Sequence, residues 1–178
     1  MTALLSKTGA VGLRRAPLPE APVAEPSLVL TFQLGGELFA ITIRSIKEII
    51  EYRRPTEVPS MPAAVLGVIN LRGAVVPVMD LPLRLGRAPA AVGRRTCIVI
   101  VEIADGDEAQ TLGVVVDAVS EVLEIPPEDI EPPPSFGARV AAEFIAGMGK
   151  VRGRFVILLD VARVLSVGTS AEAVAALA

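Results

Sequence analysis

Histidine and tryptophan are absent from this chain of 178 residues, and Cys97 is its single cysteine. Without histidine, no imidazole can activate a nucleophile, so Ser-His and Cys-His hydrolases are excluded, as are zinc sites that combine His with Cys or Glu. A lone cysteine cannot form an internal disulfide, which is typical of proteins from reducing compartments. Chemistry based on lysine, serine or carboxylates stays open, so the composition weakens an enzymatic function but does not exclude one.

Aromatic residues make up only 3% of the chain. Its apolar runs also stay shorter than the roughly 18 residues that a membrane helix needs. Positive charge is scarce in residues 96–166, which carry five Lys and Arg against twelve Asp and Glu, whereas residues 27–86 carry six against five. Neither part offers a basic surface with stacking aromatic residues for a nucleic acid. We therefore expect no direct membrane insertion and no nucleic-acid partner.

The two ends of the chain differ from its middle. Residues 1–26 begin with a mildly apolar stretch, continue with Arg14 and Arg15, and end in a segment rich in proline and alanine. A secretory signal would place its positive charge first, so we interpret this segment as a disordered extension. Residues 167–178 are small and weakly helical, and we interpret them as a second tail.

An internal repeat dominates the rest of the sequence. The segment 67–81 reappears 80 positions later as 147–161, and both copies contain an apolar residue, Arg, Gly, a variable residue, an apolar run and Asp. Upstream, the segment 40–51 reappears 73 positions later as 113–124. The two elements keep the same order in each copy, which indicates a pair of related subdomains.

We place these subdomains at residues 27–86 and 96–166, joined by a basic linker at residues 87–95. Each contains alternating apolar residues separated by turn residues, which is typical of strands. We therefore expect each half to form a small barrel-like sheet with short helices. Because 52% of the residues are hydrophobic, we also expect the two halves to share a core.

The local patterns predict specific elements within each half. Residues 28–34 alternate as a half-buried strand does, and Gly35 and Gly36 supply a tight hairpin turn. The apolar spacing that follows fits a helical face, formed by Ile43, Ile46, Ile49 and Ile50. The matching valines of the second copy are equally compatible with a helix and a bent strand.

Several candidate sites have structural explanations. Asp80 and Asp160 precede short apolar segments, and we interpret them as helix N-caps rather than a catalytic carboxylate pair. Residues 147–153 resemble a phosphate-binding loop only superficially, because a strand follows them where a helix is needed. Cys97 lies in an apolar strand, where a buried, inert thiol is expected. We predict no catalytic, cofactor or metal site.

Arg72 and its neighbours leave two interpretations open. Arg72 lies beside Gly73 in the predicted turn, which needs glycine for positive φ but does not need arginine. A solvated role and a binding role therefore both remain possible for Arg72. Ile46 and Glu48 lie on the apolar and polar sides of a short element, where packing and capping compete with binding.

The order of these motifs strongly resembles the CheW family of chemotaxis coupling proteins. The resemblance covers about residues 27–166 and is most specific in the turn Asn70-Leu71-Arg72-Gly73, with Pro77 and Asp80 behind it and residues 113–117 in support. It implies a mainly β fold of two SH3-like five-stranded β-barrels with a few short helices around a shared apolar interior. It also implies a non-catalytic adaptor without cofactor or metal.

Members of that family join the cytoplasmic helical hairpin of methyl-accepting chemoreceptors to the regulatory domain of the histidine kinase CheA. The resemblance therefore implies a cytoplasmic protein that is recruited to receptor arrays. Carried over by position, the receptor-binding candidates are Ile46, Glu48, Gly67 and Arg72, to which the second copy adds Val119 and Val122. The alternative is a small-barrel ligand-binding protein or enzyme that uses the groove between the barrels.

Overall fold

The structure, a computed structural model, describes residues 27–105, 107–133 and 142–166. The expected N-terminal and C-terminal tails lie outside these ranges. The strands of the described part are β1 (Ser27–Leu34), β2 (Glu37–Thr42), β3 (Ile46–Glu51), β4 (Val65–Leu71), β5 (Ala74–Asp80), β6 (Cys97–Asp105), β7 (Glu108–Val116), β8 (Ala118–Ile125), β9 (Ile130–Glu131), β10 (Ile145–Val151) and β11 (Arg154–Leu159). The helices are α1 (Leu81–Arg84) and α2 (Val161–Ser166). The predicted mainly β fold with short helices is confirmed.

The strands form two sheets, and each sheet contains strands from both halves of the chain. One sheet has the order β8-β1-β2-β11-β10-β9, and the other has the order β3-β6-β7-β5-β4. Each sheet therefore combines the first hairpin of one half with the later strands of the other half. If β1 and β2 are matched to β6 and β7, the other strands occupy equivalent places in the two strand orders: β8 matches β3, β11 matches β5 and β10 matches β4. The two-residue β9 has no counterpart. The sequence repeat is thus a structural repeat with exchanged hairpins.

The expectation that residues 27–86 and 96–166 each form a sheet of their own is wrong for this reason. Val78 pairs with Gly113 where β5 runs parallel to β7, and the equivalent contact joins β11 to β2. Alternating apolar residues specify which face of a strand is buried, but they do not specify which strand lies beside it. The same sequence pattern is therefore compatible with separate and exchanged hairpins.

The helical face predicted around Ile46 is also wrong. Ile43–Ser45 form a single 3-10 turn, and the residues that follow form β3, which pairs antiparallel with β6. In the second copy, where helix and strand were equally compatible, the segment is strand β8, paired with β1. Isoleucine and valine pack well on a pleated surface, and the exchanged hairpin offers an edge for pairing. Tertiary pairing therefore overrides the helical spacing.

The main core lies between the two sheets and takes side chains from both. The rings of Phe32 and Phe39, on β1 and β2, are stacked with centroids 6.3 Å apart. Val101 and Leu112, on β6 and β7, are fully buried in the same cluster. Complete burial of such a side chain stabilises the fold by about 1.5–3 kcal/mol. The exchanged hairpins thus supply much of the shared interior.

The two predicted N-caps are confirmed. Asp80 Oδ1 accepts a hydrogen bond from the backbone N–H of Leu83 at 2.9 Å, and its Oδ2 accepts one from Ala90 at 2.9 Å. Asp160 Oδ1 accepts a hydrogen bond from the backbone N–H of Arg163 at 3.2 Å. Asp80 therefore holds the linker as well as the start of α1.

Arg87 fastens the linker to the exchanged β1–β2 hairpin. Its guanidinium forms an ion pair with Glu37, donates to the carbonyl oxygen of Leu34 at 3.2 Å and lies 5.1 Å from the ring centroid of Phe39. Glu37, Leu34 and Phe39 belong to one sheet, whereas β5, the last strand before the linker, belongs to the other sheet. At least one basic residue of the linker therefore has a structural partner.

Gly67 lies in β4 where another segment of the chain passes very close. Its φ is +150°, and a Cβ at this position would lie 2.1 Å from the carbonyl oxygen of Thr56. Thr56 and Val68 exchange two backbone hydrogen bonds of 2.8 and 2.9 Å, which hold that segment against β4. In the second copy, a Cβ on the equivalent Gly147 would meet Cγ2 of Ile130 at 2.7 Å.

We predict that neither half folds alone. Residues 27–90 and 91–166 each lack the hairpin that completes their sheet, and a domain of about 60 residues is marginal in any case. Each fragment should melt without a cooperative transition in circular dichroism. Co-expression should restore a cooperative transition, because each fragment supplies the hairpin that the other lacks. A cooperative transition from a single fragment would contradict the exchange.

We also predict that Gly67→Ala destabilises the fold more than Gly147→Ala. At Gly67 the new methyl group meets a backbone carbonyl, which moves with difficulty, and the cost should be about 2 kcal/mol or more. At Gly147 the nearest atom belongs to the side chain of Ile130, which can change its rotamer, and the nearest backbone atom, the carbonyl oxygen of Glu131, lies farther away at 3.2 Å. Urea unfolding of the two variants measures the difference, and equal losses would argue against this explanation.

Candidate functional site

Both Arg-Gly turns place an arginine in the left-handed backbone region. The φ angle is +52° at Arg72 and +50° at Arg152, and it is +87° and +76° at the glycines that follow. Turns of this two-residue type favour Asn or Gly at the first position, and another L-residue there costs roughly 1 kcal/mol. Arginine at both positions therefore indicates a compensating contact or a function.

Each arginine forms an ion pair with an equivalent glutamate. Arg72 Nη2 donates to Glu48 Oε2 at 2.9 Å, and Arg152 Nη1 donates to Glu121 Oε1 at 3.4 Å. Glu48 lies on β3 and Glu121 lies on β8, which are edge strands of the two sheets. Each pair thus links an edge strand to the hairpin near the opposite edge of the same sheet. The sequence motifs around Glu48 and Arg72 are brought into direct contact.

The two pairs differ in exposure. The side chains of Arg72 and Arg152 are 79% and 77% exposed, but Glu48 is 25% exposed whereas Glu121 is 49% exposed. Ion pairs at such exposed positions contribute at most about 1 kcal/mol to stability. Because Glu48 holds one side of the Arg72 guanidinium, the exposed N–H groups can bind a second carboxylate.

The remaining predicted site residues divide into buried and exposed positions. Ile46 on β3 and Val119 on β8 are half-buried against the main core, at equivalent places in the two copies. Val122 on β8 is 51% exposed. Gly67 is buried, and the close passage of Thr56 accounts for the glycine there. The structure therefore places Ile46 near the Glu48–Arg72 pair, and Val119 and Val122 on the other sheet.

A groove with a volume of about 720 Å³ lies next to the Glu48–Arg72 pair. The first residues of β5 and β7 form its walls, together with β3. Val75, which is 56% exposed, lines the groove with Ala109 and Thr111. The sequence analysis missed these three residues, because a groove depends on which strands are neighbours. The sequence feature that comes nearest to indicating the groove is the apolar run after the Arg-Gly turn, which contains Val75.

Three further observations concern the described part of the chain. No group of Cys, Asp and Glu side chains within it could hold a metal ion. None of its helices is both long enough and apolar enough to cross a membrane. Cys97 is half-buried rather than fully buried as expected, because it begins β6, and its Sγ donates to the carbonyl oxygen of Arg95 at 3.3 Å.

Comparisons of the sequence show which proteins this chain is similar to. A family model described as the CheW-like domain matches residues 28–168. The chemotaxis protein CheW of Klebsiella aerogenes is 34% identical over 137 residues, which cover 77% of this chain and 80% of that protein. Protein FrzA of Myxococcus xanthus is 31% identical over 122 residues, which cover 68% and 73% of the two chains.

A solved structure has the same architecture. The crystal structure of the scaffolding protein TtCheW from Thermoanaerobacter tengcongensis matches with a TM-score of 0.69 and 31% sequence identity, covering 83% of this chain and 88% of that chain. The family match includes both copies of the repeat and both ion-paired turns. Sequence identity, coverage and the two-sheet fold agree, and the chain therefore belongs to the CheW-like family of non-catalytic chemotaxis scaffold proteins.

Proposed function

We propose that this protein is a cytoplasmic adaptor that joins the helical tip of a chemoreceptor to the regulatory domain of the histidine kinase CheA. Membership in the CheW-like family supports the adaptor role. The observation that carries the receptor contact is the Glu48–Arg72 pair, in which a highly exposed guanidinium is held in position by a less exposed carboxylate. Such a cation beside an apolar surface suits a helical bundle with acidic residues next to its apolar stripe.

In this proposal Arg72 is the central polar contact. Its planar guanidinium can bind Glu48 with one edge and a receptor carboxylate with the other, which a lysine ammonium would do with less directional control. Glu48 acts as a positioning residue, since its carboxylate lies 2.9 Å from Nη2 of Arg72. The orientation of the arginine is thus prepared before the partner binds.

The apolar candidates have different roles. Val122 offers an exposed side chain on β8, whereas Ile46 and Val119 mainly shape the surface from their half-buried positions. Gly67 acts through the backbone, because it permits the Thr56 segment to support β4. Since β4 leads into the turn that carries Arg72, a change at Gly67 should affect receptor binding through the fold.

A pull-down tests the adaptor role as a whole. The intact protein should retain a receptor cytoplasmic fragment and the kinase together, and it should increase the amount of kinase recovered with the receptor. Family membership supports the kinase contact, to which we assign no particular residues. Recovery of neither partner would refute the adaptor role.

The duplicated turns provide a matched pair for testing Arg72. Arg72→Glu should weaken binding of a receptor cytoplasmic fragment by about 2 kcal/mol, or about 30-fold, because it removes one member of an interfacial charge pair. Arg152→Glu, the same change in the equivalent turn, should leave receptor affinity largely unchanged. Isothermal titration calorimetry measures the affinities, and both variants should keep the melting temperature near that of the parent.

A charge exchange separates binding from fold support. In the double variant Glu48→Arg/Arg72→Glu, the ion pair within the protein can form again in reverse. Receptor binding should nevertheless stay weak, because the receptor carboxylate would meet a carboxylate at position 72. Full recovery of binding in the double variant, or equal receptor affinities for the two single arginine variants, would return Arg72 to a structural role.

A further inference from the structure

The turn that carries Arg72 needs support for its backbone as well as for its side chain. Glu48 holds the guanidinium group, but the left-handed conformation of Arg72, with φ at +52°, belongs to the backbone. Arg152 in the other copy has the same conformation, with φ at +50°. Because this conformation is unfavourable for an L-residue, each turn needs a hydrogen bond or another contact that favours it. The two copies can therefore be compared for such support.

The side chain of Asn70 supports the first turn. Asn70 lies two residues before Arg72, and its Oδ1 accepts a hydrogen bond from the backbone N–H of Gly73 at 2.9 Å. This bond spans Arg72, and it closes a ring outside the pairing of Leu71 with Ala74. Rotation of the Arg72 backbone would turn the N–H of Gly73 away from Oδ1. The bond therefore favours the left-handed conformation.

A second hydrogen bond fixes Asn70 itself. The backbone carbonyl oxygen of Asn70 accepts a hydrogen bond from Nη2 of Arg53 at 2.9 Å. Arg53 lies two residues after the end of β3, the strand that carries Glu48. One stretch of the chain thus holds the side chain of Arg72 through Glu48, and it also holds the residue that supports the turn.

The second copy lacks the residues that make these bonds. Lys150 stands at the position equivalent to Asn70, 80 residues later. An ammonium group donates hydrogen bonds but accepts none, so Lys150 cannot bind the N–H of Gly153. The 73-residue spacing places Pro126 at the position of Arg53, and the proline side chain has no donor. The two turns have the same backbone conformation, but only the first has these two bonds.

We propose that Asn70 is a positioning residue for Arg72. Its hydrogen bond to Gly73 keeps the turn in the left-handed conformation, so that the guanidinium group is oriented before a partner binds. A group that is already ordered loses less conformational freedom on binding, and an ordinary hydrogen bond shifts such an equilibrium about fivefold. The effect on binding rests on the proposed receptor contact of Arg72. The ordering of the turn does not.

Amide hydrogen exchange compares the two turns directly. Gly73 and Gly153 both follow an arginine, so their unprotected amides should exchange with water at nearly the same rate. In the full chain, Gly73 should exchange about fivefold more slowly than Gly153. Asn70→Ala should bring Gly73 to the rate of Gly153. NMR measurements of exchange with water give both rates, and equal rates in the unchanged chain would overturn the proposal.

The second turn offers the reverse experiment. Lys150→Asn introduces the missing acceptor, and it should slow exchange at Gly153 about fivefold while Gly73 stays unchanged. Lys150→Ala is the matched control, because it removes the same charge without adding an acceptor, and it should leave the rate at Gly153 as it is. If Lys150→Asn has no more effect than Lys150→Ala, the hydrogen bond of Asn70 does not explain the order of the turn.

A double-mutant cycle tests the effect on the partner. Asn70→Ala should weaken binding of a receptor cytoplasmic fragment about fivefold when Arg72 is present, and it should have no effect in an Arg72→Ala background. Lys150→Ala should leave the affinity unchanged in both backgrounds. Isothermal titration calorimetry measures the affinities. An equal loss of affinity from Asn70→Ala in both backgrounds would contradict positioning, since Asn70 would then act through the fold or by its own contact.

Urea unfolding separates positioning from fold support. The hydrogen bond between Asn70 and Gly73 does not involve the side chain at position 72. Asn70→Ala should therefore lower stability by the same small amount with Arg72 and with Arg72→Ala, although it lowers receptor affinity only with Arg72. Changes in affinity that follow the changes in stability across the four proteins would give Asn70 a structural role only.

The positioning role and the receptor contact can fail separately. If Arg72→Ala leaves receptor affinity unchanged, the receptor contact is wrong, whereas slow exchange at Gly73 would still support the ordering of the turn by Asn70. If Gly73 exchanges as fast as Gly153 but Arg72→Ala weakens binding, the receptor contact stands and the role of Asn70 is wrong.

Discussion

Two parallel pairings, of β5 with β7 and of β11 with β2, are the contacts on which the rest of the structure depends. Each joins the first hairpin of one half to the later strands of the other half. Because of this exchange, side chains of both halves meet in the main core, where Phe39 and Leu112 are fully buried. We therefore expect the two halves to unfold as one unit. The edge strands β3 and β8 lie at equivalent places and receive the Arg-Gly turns.

Duplication gives the fold two copies of the same turn, and a few substitutions give the copies different surroundings. Arg72 and Arg152 have nearly the same backbone conformation, and each pairs with a glutamate on an edge strand. The copies differ where Pro77 replaces the hydrogen-bonding residue that Ile157 provides in the other sheet. The ladder of β5 with β7 therefore begins one residue later than that of β11 with β2, and Pro77 lies in the wall of the groove beside the Glu48–Arg72 pair.

Sequence reasoning located the Glu48–Arg72 site in part. The Arg-Gly turn and the Ile-Lys-Glu-Ile segment were both identified, but the segment was expected as a helical face and is strand β3. On a helix, Glu48 would have been explained by capping. On an edge strand, it is free to reach the turn of the hairpin on the other side of the sheet. The direct contact between Glu48 and Arg72 therefore could not be predicted from spacing.

The sequence by itself determined the local features of this protein: the alternating strands, the turns that contain Gly36 and Gly73, the N-caps Asp80 and Asp160, and the duplication. These features depend on residues within a few positions of one another. Only the tertiary structure decided which hairpin completes which sheet and where β5 and β7 separate. Those outcomes depend on pairing between distant segments, and many pairings satisfy the same alternation of buried and exposed side chains.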